Sequence, residues 1–176
     1  MARISKARRG RVPSQETIIN RLDRMAGISG YVITSKGTDK KTSGDLDEQV
    51  KEFRPDLIVD PYAGNYRRVY EIEKTINNNT IFKSLVSLLY FLSKNPNSVG
   101  TLVVPDSGKK FAERCLSVVS EIIRNYDRGG RGAPIKIRIE IASFNEVVSE
   151  ANRLETWFIG GKKGAPPKCD FLPRVA

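Results

Sequence analysis

The sequence contains no histidine among its 176 residues. This absence excludes Ser-His-Asp triads, histidine-based zinc sites and every nuclease mechanism that uses a histidine base. Cysteine is scarce as well, with Cys115 and Cys169 alone, and two cysteines do not make a structural zinc site. Catalysis by this chain would therefore depend on carboxylates, lysines and a metal ion.

Long hydrophobic runs are also missing. The most apolar stretch is the twelve residues from Ile81 to Leu92, and it includes Lys83. It is too short and too polar for a membrane span. The first eleven residues are basic and no apolar stretch follows them, so they do not resemble a secretory signal. We therefore expect a cytoplasmic protein with no membrane contact and with reduced cysteines.

Positive charge is abundant and unevenly distributed. The net charge is +10. Residues 1–11 carry five positive charges and no negative one, residues 124–138 carry five and one, and residues 160–176 carry four and one. Such clusters predict a surface that binds a polyanion such as DNA, although they would also serve solubility alone. The predicted nucleic-acid contacts are Arg8, Arg9, Arg11, Arg128, Arg131, Lys162 and Lys163.

Hydrophobic periodicity and turn residues predict an α/β fold with a mixed central sheet. We expect a basic N-terminal tail over residues 1–13, one domain over 14–158 and a basic irregular tail over 159–176. Helices are predicted at 13–25, 77–93, 107–125 and 143–154, and strands at 31–34, 56–60, 68–75, 101–104 and 135–141. Residues 61–65 contain Pro, Gly and Asn, so the second and third strands should form an antiparallel hairpin.

Further expectations concern the helices. Ser107 is predicted to cap the third helix, and Ser143 with Glu146 to form a capping box for the fourth. The predicted inner face of the third helix consists of Phe111, Cys115, Val118, Val119 and Ile122. Residues 45–53 fit either a short helix or an extended lead-in.

The acidic residues of the hairpin are the candidates for chemistry. Because side chains alternate along a strand, Glu71 and Glu73 should point to the same face, about 7 Å apart. The antiparallel neighbour should bring Asp56 or Asp60 beside them. Three carboxylates at close range repel one another, and a divalent cation such as Mg²⁺ would relieve that repulsion. The alternative is a solvent-facing strand whose acids pair with Arg67, Arg68 or lysines.

The pattern of Pro55-Asp56, a spacing of fifteen residues and then Glu71-Ile72-Glu73 resembles the PD-(D/E)xK (restriction-endonuclease-like) nuclease superfamily. The resemblance implies an α-β-β-β-α-β core within residues 14–125 and Mg²⁺-dependent cleavage of DNA, with Mn²⁺ as a substitute. It also implies that Asp56 and Glu71 bind the metal and that a homodimer is plausible. Glu73 stands where the family usually has lysine, as in Glu-x-Glu variants of some restriction endonucleases, and becomes a third candidate ligand.

That substitution leaves open what activates the attacking water. The metal itself is one possibility. Lys83, in the first turn of the second helix, is another, although its position is more typical of the solvent-exposed edge of that helix. Lys74 should face the other way, toward a salt bridge or a phosphate.

The remaining acidic candidates could also have purely structural roles. Glu16 is the first candidate for the acid that the family often adds from its first helix, and Glu48 the second. Asp60 either competes with Asp56 or caps the turn. A non-catalytic nucleic-acid-binding protein of the same fold is the alternative function, and an interaction protein with incidental charge is a third.

Overall fold

The computed structural model describes residues 13–29, 31–36, 55–61, 66–129 and 137–171. Within these ranges, four α-helices cover a five-stranded sheet. The strands are β1 (Tyr31–Lys36), β2 (Leu57–Pro61), β3 (Arg67–Ile72), β4 (Ser98–Val104) and β5 (Ile139–Ser143). The helices are α1 (Gln15–Ile28), α2 (Asn78–Lys94), α3 (Lys109–Gly129) and α4 (Phe144–Ile159). None of these helices has the length and apolarity that a bilayer crossing requires.

The strands lie across the sheet in the order β1-β2-β3-β4-β5, which is also their order along the chain. β2 pairs antiparallel with both β1 and β3, whereas β3, β4 and β5 are parallel. Leu57 lies opposite Tyr70 in the β2–β3 hairpin. The predicted mixed α/β sheet and its hairpin are therefore confirmed. The order of elements from α1 to β4 is α-β-β-β-α-β, as the resemblance implied.

Helices pack on both faces of the sheet. One core lies between the sheet and α1 with α4, and it includes Tyr70 and Ile72 of β3. The other lies between the sheet and α2 with α3, and it includes Val69. Alternate residues of β3 thus enter opposite cores, as a strand requires. β4 is buried along its whole length, which is typical of a central parallel strand with helices on both sides.

The helix ends agree only in part with the predicted ones. The Ser143–Glu146 capping box of α4 is confirmed. α1 continues through Gly27 and ends at Ile28, three residues later than predicted. The predicted cap at Ser107 is wrong, because Ser107 lies inside a 3₁₀ turn, Asp106–Gly108, that precedes α3.

The inner face of α3 also differs from the prediction. Cys115 and Val119 are buried as expected. Val118 and Ile122 are 50% and 63% exposed, so their assignment to the inner face is wrong. Ala112 completes the buried stripe instead.

The described residues beyond α4, 160–171, are irregular, as predicted, yet they pack against the domain. Glu150 of α4 accepts hydrogen bonds from the backbone N–H groups of Asp170 (2.8 Å) and Phe171 (3.0 Å). Arg68 donates to the Asp170 carbonyl (2.9 Å), and the Tyr70 hydroxyl donates to the Phe171 carbonyl (2.8 Å). We call residues 169–171 the C-terminal strap. Because its first residue, Cys169, is buried in the α1–α4 core, the domain extends past the boundary predicted at residue 158.

Gly108 lies in the 3₁₀ turn between β4 and α3 and packs closely against Ile76, which precedes α2. A Cβ atom at this position would lie 2.4 Å from Cδ1 of Ile76. We expect Gly108→Ala to lower the free energy of unfolding by about 1–3 kcal/mol, because it overpacks this contact. Urea denaturation would measure the change. Gly27→Ala is the matched control: its new methyl group meets nothing within 4 Å, and the change should stabilise α1 by roughly 0.5–1 kcal/mol. Equal stabilities of Gly108→Ala and the wild type would contradict the prediction.

Candidate active site

The end of β3 directs two glutamates toward α2. Glu71 lies within β3, and Glu73 follows it, with its N–H donating to the Val103 carbonyl (2.9 Å). Ser87 of α2 donates its hydroxyl to Oε1 of Glu71 (2.6 Å), and Ser84 donates to Oε1 of Glu73 (2.5 Å). Both carboxylates therefore face the same helix, which confirms the predicted alternation.

Asp56 lies just before β2 and reaches the backbone between the two glutamates. Its Oδ2 accepts a hydrogen bond from the Ile72 N–H (2.7 Å). The side chain of Gln15, in the first turn of α1, forms a second hydrogen bond with Asp56. We call Asp56, Glu71 and Glu73 the acid cluster.

All three acids have raised pKa values, and burial is the largest cause in each. Burial is the main cause that raises the pKa of Glu71 to about 8, and the negative charges of Asp56 and Glu73 raise it further, whereas the Ser87 hydrogen bond lowers it. Burial also raises the pKa of Glu73, with a further contribution from Asp56, and it raises the pKa of Asp56. Lys83 is exposed, and its charge lowers the pKa of both glutamates without offsetting their burial. The cluster thus concentrates carboxylates where ionisation is unfavourable.

No arginine or lysine in the described part of the chain forms an ion pair with the acid cluster. Arg67 pairs with Asp60, and Arg68 pairs with Glu140. Glu71 is only 8% exposed. Among the described residues, the alternative of a solvent-facing strand whose acids pair with Arg67, Arg68 or lysines is therefore wrong.

The geometry of the cluster bears on metal binding. Among the described residues, no three acidic or thiol groups stand close enough together to hold one metal ion. Each acid instead directs one oxygen to its own hydrogen-bond donor. The chemistry of the cluster still fits Mg²⁺, since the oxygens are hard ligands and Mg²⁺ often takes only one or two carboxylates together with waters.

The other predicted acids lie apart from this cluster. Asp60 forms its ion pair with Arg67 four residues from Asp56, roughly 13 Å along the strand. It lines a separate cleft of about 370 Å³ beside Lys94 at the end of α2, so it does not take the place of Asp56. Glu16 is exposed in the first turn of α1, and its neighbour Gln15 reaches the cluster instead. Lys74 is exposed just beyond β3, and Glu48 lies outside the described residues.

The predicted nucleic-acid contacts are described only in part. Lys162 and Lys163 are exposed in the turn after α4, where Nζ of Lys162 lies 5.1 Å from the centre of the Phe158 ring. Arg128 lies in the last turn of α3. The remaining predicted contacts, Arg8, Arg9, Arg11 and Arg131, lie outside the described residues.

Sequence reasoning missed three residues of the site, Gln15, Ser84 and Ser87, as partners of the acids. The sequence did contain an indication that the two serines have polar partners. They lie three residues apart in a helix that is otherwise largely apolar, and this spacing places them on one face. Both are buried, so they needed polar partners on the neighbouring strand.

All four helices begin at the edge of the sheet that carries the acid cluster. The Gln15–Asp56 contact places the start of α1 there. Gly108 against Ile76 places the start of α3 next to that of α2, and Nζ of Lys109 lies 2.5 Å from Oε1 of Glu146 in the first turn of α4. Helix N-termini carry partial positive charge, so they oppose the negative charge of the acid cluster at this edge.

No protein-family model, curated protein or solved structure matches this chain. Its function is therefore inferred from the acid cluster and the residues around it, since a fold alone does not specify an activity.

Proposed function

We propose that the chain is a metal-dependent DNA endonuclease of the restriction-endonuclease-like kind, which hydrolyses phosphodiester bonds with Mg²⁺ and accepts Mn²⁺ as a substitute. The observation that carries the proposal is the acid cluster: the buried Glu71 and the half-buried Asp56 and Glu73 have raised pKa values and form no ion pair in the described part of the chain. A buried acid normally has a compensating charge. A divalent cation would supply that charge.

Asp56 and Glu71 are the proposed metal ligands, and Glu73 is a third candidate. A bound Mg²⁺ would lower the pKa of a water molecule and polarise the phosphate. Lys83 lies within electrostatic range of both glutamates, so it can hold a phosphate oxygen or a water beside them. Lys74 is exposed at the end of β3 and is proposed to contact the DNA backbone.

The surroundings of the cluster suit a nucleic-acid substrate. Four helix N-termini point toward this edge of the sheet, and phosphate groups bind well at such ends. The net charge of +10 adds a general attraction for DNA. Membership in the PD-(D/E)xK superfamily belongs to this proposal, supported by the α-β-β-β-α-β order and by the positions of Asp56 and Glu71. A homodimer and a cytoplasmic location, in keeping with two free buried cysteines, belong to it as well.

Cleavage of supercoiled plasmid DNA tests the proposal. We expect nicked and linear products in Mg²⁺ or Mn²⁺ and none in EDTA. Asp56→Asn should abolish cleavage, because it removes a charge from the cluster while its carbonyl can still accept the Ile72 N–H. Asp60→Asn is the matched control, since Asp60 pairs with Arg67 away from the cluster, and this variant should retain cleavage. Equal cleavage by both variants would count against the assignment of the site.

A non-catalytic nucleic-acid-binding protein is the second candidate. It is favoured by the lack of any group of three acids placed to hold a metal within the described residues, and by Glu73 in the place of a lysine. DNA binding that survives EDTA, without cleavage in either metal, would support it. If DNA affinity proves insensitive to salt, both nucleic-acid functions are excluded and an interaction protein remains.

A further inference from the structure

Each glutamate of the acid cluster is held by only one of its two oxygens. Ser87 donates to Oε1 of Glu71, and Ser84 donates to Oε1 of Glu73. No described residue donates a hydrogen bond to Oε2 of either glutamate. Each carboxylate therefore keeps one oxygen available for a ligand.

The geometry of α2 and β3 fixes the positions of the two serines relative to the two glutamates. Residues three apart on a helix lie about 5–6 Å apart, and residues two apart on a strand lie about 7 Å apart. The serines of α2 and the glutamates at the end of β3 therefore match in spacing. Ser84 and Ser87 are each only 3% exposed, so neither hydroxyl can readily turn to solvent.

The hydrogen bonds of these serines differ from those of other serines in α2. A serine inside a helix commonly donates to a carbonyl of the preceding turn. Ser93 does so, with its hydroxyl 2.7 Å from the Tyr90 carbonyl. Ser84 and Ser87 donate to carboxylates instead, so their hydroxyls act on the acid cluster rather than on the helix.

We propose that Ser84 and Ser87 are specificity-determining residues that make the metal site select Mg²⁺ over Ca²⁺. While a serine donates to one oxygen, its hydrogen bond competes with a cation for that oxygen, so the glutamate binds a cation more readily through the other oxygen alone. Mg²⁺ accepts this arrangement, since it is octahedral and retains several waters. Ca²⁺ takes six to eight oxygens and often uses both oxygens of a carboxylate, so it gains less from such a site. The inference rests on the proposed function, because it requires a divalent cation at the acid cluster.

Competition for bound Mn²⁺ tests this inference without any measurement of cleavage. Free Mn²⁺ would be counted by electron paramagnetic resonance while Mg²⁺ or Ca²⁺ displaces it from the protein. We expect the Ca²⁺ dissociation constant divided by that of Mg²⁺ to fall about tenfold in the Ser84→Ala/Ser87→Ala variant, a size typical of residues that orient metal ligands. Ser93→Ala is the control on the same helix and should leave this ratio unchanged.

A second pair of variants covers the case in which the double alanine variant fails to fold. Ser87→Thr and Ser87→Val have nearly the same shape, but only threonine keeps the hydroxyl. We expect the threonine variant to retain the wild-type ratio and the valine variant to lower it. Equal ratios in both variants, or an unchanged ratio in the folded double variant, would overturn the inference alone. A wild-type protein that binds no Mn²⁺ would overturn the proposed function together with it.

Discussion

Glu71→Gln is expected to slow Mg²⁺-dependent DNA cleavage at least about a hundredfold and, at the same time, to stabilise the folded protein above pH 8. The variant keeps the shape of the side chain and removes its charge. A metal site contributes several kcal/mol to the reaction, and each 1.4 kcal/mol corresponds to about a factor of ten in rate. Initial rates of plasmid cleavage at saturating Mg²⁺ would measure the loss.

The gain in stability follows from the raised pKa of Glu71. Its pKa is about 8 in the folded protein, against an ordinary value of 4.5. The folded state therefore binds this proton more tightly than the unfolded state does. The resulting contribution to stability is complete below pH 4.5 and is lost as the pH rises through about 8. Glutamine does not titrate, so the variant avoids that loss.

Urea denaturation at several pH values would test the stability effect. One pKa unit corresponds to about 1.4 kcal/mol, so the rise of the Glu71 pKa from 4.5 to about 8 predicts a gain on the order of 5 kcal/mol above pH 8 and almost none at pH 4. Glu121→Gln, an exposed position on α3, is the control and should show no comparable rise. A variant that is less stable than the wild type at pH 9 would contradict the argument. Saturating Mg²⁺ should reduce this difference in stability between Glu71→Gln and the wild type, because it stabilises only the wild type, which retains the carboxylate charge.

Glu150→Gln is expected to lower the free energy of unfolding by about 3 kcal/mol. The carboxylate of Glu150 accepts two backbone N–H groups of the C-terminal strap and is 4% exposed. A glutamine has one acceptor oxygen, so its amide would face the second N–H with another donor. An unsatisfied buried N–H group, together with the loss of a charge-assisted hydrogen bond, accounts for the size of the expected loss in stability.

Glu155→Gln supplies the matched control for that change. It lies on the same helix and pairs with Arg24 (2.6 Å), whose side chain is largely exposed. Surface pairs contribute roughly 0–1 kcal/mol, so this variant should be nearly as stable as the wild type. Hydrogen exchange would add a local measurement, since the Asp170 and Phe171 amides should lose protection only in Glu150→Gln. Equal stabilities of the two variants would show that the hydrogen bonds of the C-terminal strap add little to the free energy of unfolding.

The sheet and the positions of the acids could be predicted because they follow short-range rules. Alternation along β3 places Glu71 and Glu73 on one face, and the hairpin brings Asp56 alongside. These rules do not fix the rotation of a helix about its own axis. Neighbouring residues on a helix differ by about 100°, which decides that Gln15 rather than Glu16 reaches Asp56.

The errors elsewhere have similar physical causes. The apolar arc of α3 is wider than the surface that it buries, so periodicity alone assigned Val118 and Ile122 to the core. The C-terminal strap is recognised by hydrogen bonds to its backbone from Glu150, Arg68 and Tyr70, and backbone recognition leaves no pattern in a sequence. Composition therefore predicted the irregular conformation of this segment and not its attachment.

The sheet also bears on how the protein folds, because each of the five described strands pairs only with its neighbours in sequence order among them. No strand has to be inserted between two that have already paired. The β1–β2–β3 part can therefore assemble while the ribosome is still making β5 and α4. Until α4 arrives, however, Ile18 and Leu22 of α1 lack half of their core. A nascent chain stalled before α4 should therefore be the species that chaperones bind.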